Sequence, residues 1–548
     1  MEKKVKIYCV NSNISNSYPA GISLEEICPK DVKAIVAKVN GKIKDLKFCV
    51  YKPKCVEFLG LDSLHGVRAY LRSISFLLYE AVTHINKEAC LRIEHPISGG
   101  YLCQIAGLGE INEDLCRRLS ERMREKIAKK TEFVQEIVPT SWAIQYFEDN
   151  AAFDKVNILK SRGEMYTELY RLDDLYDFYY GALVPNAGYL DKFALTPYNG
   201  ALLLTVPSAE KPNELAPVRQ EPQLLKAFSE HTTFNQLLGI ENVGDLNIGL
   251  LEKNNASNLI KVAEALQEKK IALIADEIAK RPKVRIVLLA GPSSSGKTTS
   301  SKRLSVQLAV CGLKPLAVSL DDYFVPRRLT PKDENGNYDF ESLYALDLDL
   351  FNSDLNKLIS GEAVTLPRYN FETGEREQGD TIQIHNNEVL IFEGIHALNP
   401  KLTEKIPAEN KFKIFVSALT SISLDNHNCI PNTDNRLIRR IVRDFKYRGY
   451  SAEDTIKRWP DVMKGEEKWI VPFQEEADAM FNSAMIFELC VLKHHAIAPL
   501  SMVPQTSPIY SEAHRLLNFL SYFADIQENE IPTTSLLREF VGGSSFKY

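Results

Sequence analysis

Positions 284–298, VRIVLLAGPSSSGKT, constrain this chain more than any other stretch. The mainly apolar run 284–290 reads as a buried strand. It feeds directly into Gly291-Pro292-Ser293-Ser294-Ser295-Gly296-Lys297-Thr298, which fits G-x-x-x-x-G-K-[ST]. Residues 299–311 then read as a helix, with Gly312 as its stop. A strand passing through a glycine loop into a helix requires an α/β layer with parallel strands. The spacing also has a chemical reason. Gly291 and Gly296 permit backbone angles that turn consecutive N–H groups inward at a helix N-terminus, where phosphate oxygens bind. The expected triphosphate cradle is Gly291, Pro292, Ser293, Ser294, Ser295, Gly296, Lys297, Thr298 and Thr299. Lys297 brings a mobile point charge to the β and γ phosphates, and the Thr298 hydroxyl is offered to Mg²⁺. ATP and Mg²⁺ are the implied cofactors.

Three further segments extend this reading. Residues 316–320 form a second strand ending at Asp321-Asp322-Tyr323, and a carboxylate at the C-terminal end of a parallel strand faces the ligand crevice. Such a group can take a proton from an attacking hydroxyl or hold Mg²⁺. Residues 389–392 (VLIF) form a third strand closed by Glu393, which can serve Mg²⁺ directly or through water. Arg436, Arg439, Arg440, Arg443 and Arg448 lie along one expected helix and its end. Arg436, Arg440 and Arg443 share a face, as a mobile arginine lid over phosphates requires. No NKxD segment is present, which argues against a guanine-nucleotide switch.

At 548 residues the chain exceeds one hydrophobic core, and about three to four domains are expected. The net charge of −6 gives no bulk cationic field for nucleic acid or anionic membrane. No apolar run approaches membrane-spanning length, and the basic N-terminus lacks an apolar region of signal-peptide length. The ten cysteines are scattered without metal spacing and read as free buried thiols of a reducing cytosol, so a cytoplasmic location is expected. Short alternating runs fill residues 1–65, with Asn40-Gly41 as a hairpin turn. Residues 67–85 and 111–130 read as helices. Pro207, Pro212, Pro217 and Pro222 mark a linker, and residues 256–280 form an amphipathic helix stopped by Arg281-Pro282.

The segments GPSSSGKTT, SLDDYF, NYDFES, LPRYNF, IFEGIHALN and DNRLIRRIVRDFKYRG occur here in the order seen in the uridine kinase/phosphoribulokinase family. Residues 283–492 resemble that family, whose members are P-loop α/β kinases that phosphorylate a ribose or ribulose hydroxyl with ATP and Mg²⁺. The resemblance implies that Asp321 is the catalytic carboxylate for a 5′-hydroxyl, with Asp322 as the alternative. It implies that Asp339 binds ribose hydroxyls, that Tyr369 packs on the base and that Glu393 is the Mg²⁺-linked acid. It places Arg440 and Arg443 in the substrate and nucleotide phosphate sites, with Arg440 beside Lys297 and Asp321 in the catalytic set, and makes Arg448 a lid arginine. Gly374 stands where pyrimidine-specific members carry histidine, Tyr450 where they carry arginine and Arg458 where they carry glutamine. The base-reading contacts are therefore altered while the phosphate chemistry is kept.

Residues 1–65, with VNGKIKDL, resemble a TGS domain, the β-grasp module of threonyl-tRNA synthetases. Residues 66–206, with IEHPISGGY, DFYYG and VPNAGYLDKFAL, resemble the editing-type domain that follows it there. That domain uses an HxxxH helix and a C-x-x-x-H pair. Arg72, Phe76, Tyr179 and Leu183 occupy the matching positions, so editing activity is expected to be absent. His95 remains in the cleft-like segment. The module is expected to bind RNA, a nucleotide or another protein, or only to scaffold its partner domain.

The expected architecture is multidomain α/β: a β-grasp domain (1–65), an editing-like α+β domain (66–206), a linker with helices (207–282), a P-loop parallel-sheet domain (283–500) and a C-terminal docking helix with a loose tail (501–548). The expected activity is ATP- and Mg²⁺-dependent phosphorylation of a nucleoside-like small molecule at its 5′-hydroxyl. The alternatives are a kinase of another sugar or sugar-phosphate hydroxyl, and a nucleotide-regulated RNA- or ribosome-binding protein. The sequence leaves the oligomeric state open.

Overall fold

The computed structural model describes residues 3–252, 255–333, 336–385 and 387–547. In the C-terminal half, strand Ile286–Ala290 lies in the middle of an all-parallel sheet. The order across that sheet is Lys314–Ser319, Glu388–Glu393, Ile286–Ala290, Lys411–Ser417, Ala479–Asn482. Both faces are covered, which explains the continuous apolar run. Ile286, Leu288 and Ala290 enter a core with Tyr323, Phe351 and Phe392. Val287 and Leu289 enter a larger core with residues of helices Ala256–Ala279, Asn432–Tyr447 and Glu488–Ser501. Every strand of a parallel sheet presents its C-terminal end on the same edge, and loops there meet in one crevice.

The first sheet has the order Ile14–Pro19, Lys4–Cys9, Lys54–Leu59, Val36–Val39, Lys42–Lys44. Lys4–Cys9 and Lys54–Leu59 are parallel and the other pairs antiparallel. Asn40 and Gly41, at φ 47° and 79°, make the tight turn between the neighbouring strands Val36–Val39 and Lys42–Lys44. Helix Leu64–Ile85, capped by Ser63, follows and is buried over most of its surface. The N-terminal half also holds a two-stranded pair, Ile22–Ser23 with Cys49–Val50, a four-stranded antiparallel sheet and a three-stranded one.

Two expectations are corrected. All ten cysteines are unpaired, but only Cys103, Cys116, Cys429 and Cys490 are buried. The C-terminal helix is Tyr510–Leu520, and the tail after it is not loose. Ser535, Leu536, Leu537 and Phe540 are fully buried, because this short apolar group packs beside the phosphate loop. Tyr548 lies outside the described residues. Residues 207–221 carry no regular element, and helices Pro222–Leu238 and Val243–Leu251 follow. Ala143, Phe147, Ile158, Leu159 and Phe178 belong to the same apolar core as the parallel sheet, so that core runs across position 206. Among the described residues no helix is long and apolar enough to cross a membrane.

Candidate active site

The phosphate loop joins strand Ile286–Ala290 to helix Lys297–Val310. Gly296 sits at φ +81° and Ser294 at +59°, the left-handed angles that fold the loop around its own amides. A Cβ on Gly291 would collide with the Val416 carbonyl. The side-chain oxygens of Ser294 and Ser295 are buried without a protein partner. The Lys297 ammonium donates to the Pro292 carbonyl at 3.2 Å, folded back over the loop.

Strand register brings the acids to this loop. Glu393 pairs with Leu289 on one side and Ser319 on the other. Asp321 lies two residues beyond Ser319, in the short helical turn Leu320–Tyr323. The Thr298 hydroxyl donates to Glu393 Oε1 at 3.2 Å. Burial pushes the Glu393 carboxyl up to about 7, against the attraction of Lys297. Burial also raises Asp321, opposed by Lys297, Arg448 and Arg443. The Lys297 ammonium is pushed down by burial, while Glu393, Asp321 and Glu539 draw it up. Three carboxylates thus act electrostatically on one lysine. A divalent cation beside Thr298 and Glu393 would neutralise that excess, so these two oxygen donors fit Mg²⁺.

Helix Asn432–Tyr447 supplies the arginines, and they divide into two kinds. Arg436 is buried, ion-paired to Glu466 and hydrogen-bonded to the Ser293 carbonyl at 3.0 Å. Arg439 is fully buried against Glu488 at 2.6 Å, with Nη1 3.3 Å from the Ser294 carbonyl. Arg436 is therefore a fixed brace and not part of a mobile lid. Arg440 donates to Ser293 Oγ at 2.9 Å and to Asp444 at 3.2 Å. Arg443 bonds Asp444 at 2.8 Å, and the exposed Arg448 lies 3.8 Å from the same carboxylate. Asp444 thus gathers Arg440, Arg443 and Arg448. Sequence reasoning missed it, although its place one residue after Arg443 was a signal.

Asp339, expected to bind the acceptor, is half-buried and accepts the Glu341 amide at 3.2 Å. Glu341 is the neighbouring acid that reaches the cradle electrostatically. Burial raises it to about 7, against Arg440 and Lys297. Gly465 leaves the space for its side chain. Asp322 accepts the Tyr369 amide at 3.2 Å and so positions that residue. The Tyr369 ring lies 5.6 Å from Phe324 and 5.1 Å from Phe371. A Cβ on Gly374 would meet the Arg327 guanidinium at 2.8–2.9 Å, and that guanidinium donates to the Phe371 carbonyl at 2.6 Å. Arg458 stacks on Tyr450 at 4.5 Å.

In the N-terminal half, Phe76 packs against Tyr179 at 5.6 Å and Leu183 is fully buried. Arg72 donates to the Ala182 carbonyl at 2.9 and 3.2 Å. The His95 ring stacks on Phe228 at 3.4 Å, and burial pushes it down to about 3. Two buried charge clusters join this half to the kinase-like half, one at the loop before the arginine helix and one at that helix's first turn. Lys155 Nζ lies 2.9 Å from Asp177, 3.2 Å from Asp425 and 3.8 Å from Asp154, and Asp177 also meets His427 at 2.7 Å. Burial opposes the Lys155 charge, but Asp177 and Asp425 more than offset it and its pKa is raised. Asp434, in the first turn of the arginine helix, is gripped by Arg515 at 2.7 Å with Arg68 at 3.6 Å. No local pattern announces either cluster, since the partners lie far apart in the chain, Lys155 and Asp425 by 270 residues and Asp434 and Arg515 by 81.

A family model described as Phosphoribulokinase / Uridine kinase family matches residues 286–487. A uridine kinase of Staphylococcus haemolyticus is 30% identical over 194 residues, covering 35% of this chain and 84% of that protein. A uridine kinase of Halobacterium salinarum is 26% identical over 192 residues, covering 35% of this chain and 76% of that protein. Among solved structures, a D-glycerate 3-kinase from Cryptococcus neoformans aligns with a TM-score of 0.29 at 15% identity, covering 38% of this chain and 89% of that one.

Proposed function

Through residues 286–487 this chain belongs to the phosphoribulokinase/uridine kinase family, a family of phosphotransferases, and on that premise we propose that it transfers the γ-phosphoryl group of ATP to the 5′-hydroxyl of a nucleoside. The observation that supports the reading is Asp321, just past the strand end that pairs with Glu393, acting electrostatically on Lys297 of the phosphate loop. Gly291 to Thr299 hold the triphosphate through backbone amides and the helix N-terminus. Thr298 and Glu393 would hold Mg²⁺, which supplies charge neutralisation on the phosphate oxygens when bound. The Asp321 carboxylate takes the hydroxyl proton as the acceptor oxygen bonds to phosphorus and ADP departs with the bridging oxygen. Lys297, Arg440 and Arg443 stabilise the charge that spreads over the transferring group, and the exposed Arg448 closes over it. Asp339 and the Tyr369 ring bind the sugar and base of the acceptor.

One observation favours a second reading. Arg327 lies against Gly374, and its cationic fork, donating to the Phe371 carbonyl, suits an acceptor carrying carbonyl or anionic groups. A sugar phosphate is therefore the rival acceptor. Residues 1–65 and 66–206 read as TGS-like and editing-like modules without editing chemistry, serving to hold the arginine helix. The domain boundaries stated above and a cytoplasmic location belong to the same reading. The test is a panel of nucleosides and sugar phosphates incubated with ATP and Mg²⁺, with products read by mass. A nucleoside 5′-monophosphate is expected. A phosphorylated sugar phosphate alone would transfer the reading to the rival, and ATP turnover without any phosphorylated acceptor would refute both.

A further inference from the structure

The short helix Arg538–Val541 near the C-terminus lies against the phosphate loop, and the reaction outlined above does not use it. Leu536 covers Gly296 so closely that a Cβ there would lie 2.7 Å from its Cδ2. Phe540 lies under the Arg439 guanidinium, 5.0 Å from ring centroid to Cζ. The Lys446 ammonium donates to the Val541 carbonyl, tying the segment to the last turn of the arginine helix. Between these anchors the Glu539 carboxylate accepts from the Thr299 amide at 3.2 Å and from the Thr299 hydroxyl at 2.6 Å. Lys297 and Glu393 both feel its charge.

Thr299 closes the expected triphosphate cradle, and an amide in the first turn of a helix is an anion donor. A carboxylate and a phosphate oxygen cannot both take that amide without two anions in contact, a repulsion that water does not screen in a buried site. We propose that the C-terminal segment is an autoinhibitory clasp: Glu539 occupies Thr299 in place of a nucleotide phosphate oxygen, and a triphosphate binds fully only once that carboxylate leaves. The inference rests on residues 291–299 being a nucleotide cradle. Lys446 lies between Arg443 and Arg448, so release of the Val541 carbonyl also frees the turn that carries the phosphate-site arginines. ATP entry and arginine movement are thereby coupled.

The test compares ATP·Mg²⁺ affinity by calorimetry in the wild type, Glu539→Gln and Glu539→Ala, with hydrogen exchange followed over residues 533–547. Hydrogen bonds to a charged group have a strength that corresponds to about ten- to hundredfold in a binding constant. Both variants are expected to bind ATP tighter by about that factor, because less of the protein is held in the closed form. ATP is expected to speed exchange at residues 535–542 of the wild type. Equal or weaker affinity in both variants, or slower exchange of the segment with ATP, would overturn the clasp. Glu539→Gln keeps the side-chain shape and carries the comparison if Glu539→Ala does not fold. Lys297→Ala separates the two readings. ATP bound by the wild type and lost in that variant leaves the cradle standing whatever the clasp does, whereas no ATP binding by the wild type or either Glu539 variant sinks both.

Discussion

Asp321→Asn separates the chemical step from nucleotide binding. The substitution keeps the side-chain shape and removes only the proton acceptor. A positioned general base contributes about 10²–10⁴ in rate, or about 3–5 kcal/mol of barrier. Burial disfavours the Asp321 charge, so its loss relieves a penalty and stability should stay within about 1 kcal/mol of the wild type. The carboxylate also acts electrostatically on Lys297 of the cradle, where ATP would bring further negative charge. Removing it should leave ATP affinity unchanged or tighter. The expected signature is a fall in kcat of about 10²–10⁴ with undiminished ATP affinity. Steady-state rates with the best acceptor of the panel, calorimetry with ATP and a denaturant titration measure the three quantities. A kcat within tenfold of the wild type would refute the base assignment, and so would a loss of kcat matched by an equal loss of ATP affinity.

Two further outcomes follow from buried charge. Lys155→Met leaves Asp154, Asp177 and Asp425 without their shared cation and should cost about 3–5 kcal/mol of unfolding free energy; a change below 1 kcal/mol in a urea titration would contradict the cluster's role. Glu393 titrates near 7 in the nucleotide-free fold against an ordinary 4.5, so the folded state holds the extra proton between those values. Stability of the nucleotide-free protein should therefore fall as pH rises from about 4.5 to 7 and then level off. Glu393→Gln should remove up to about 3 kcal/mol of that slope, and parallel slopes for both proteins in thermal melts would sink the assignment.

The phosphate loop was legible because Gly291, Gly296 and Lys297 answer a backbone and charge requirement that only a few residue types meet. Glu393 and Asp321 were legible for a related reason: an acid closing an apolar run marks the end of a buried strand. The roles of the arginines were not. Helical spacing puts Arg436 and Arg440 on one face, but only the fold reveals that Glu466 holds Arg436 while Ser293 and Asp444 hold Arg440. Helix Pro222–Leu238 was hidden because it starts in a proline-rich stretch and carries His231, Thr232 and Thr233, which are poor helix formers. Leu536, Leu537 and Phe540 escaped notice because so short an apolar group has no period to read.

The Lys155 cluster also bears on how such a chain can be inherited. Its cation and Asp177 come from one half, and Asp425 and His427 from the other, with none of the four in contact with water to any large extent. A recombination event that replaced either half alone would strand charges that the surviving half was built around. The two halves are expected to travel through evolution as a single unit, changing partners together or not at all.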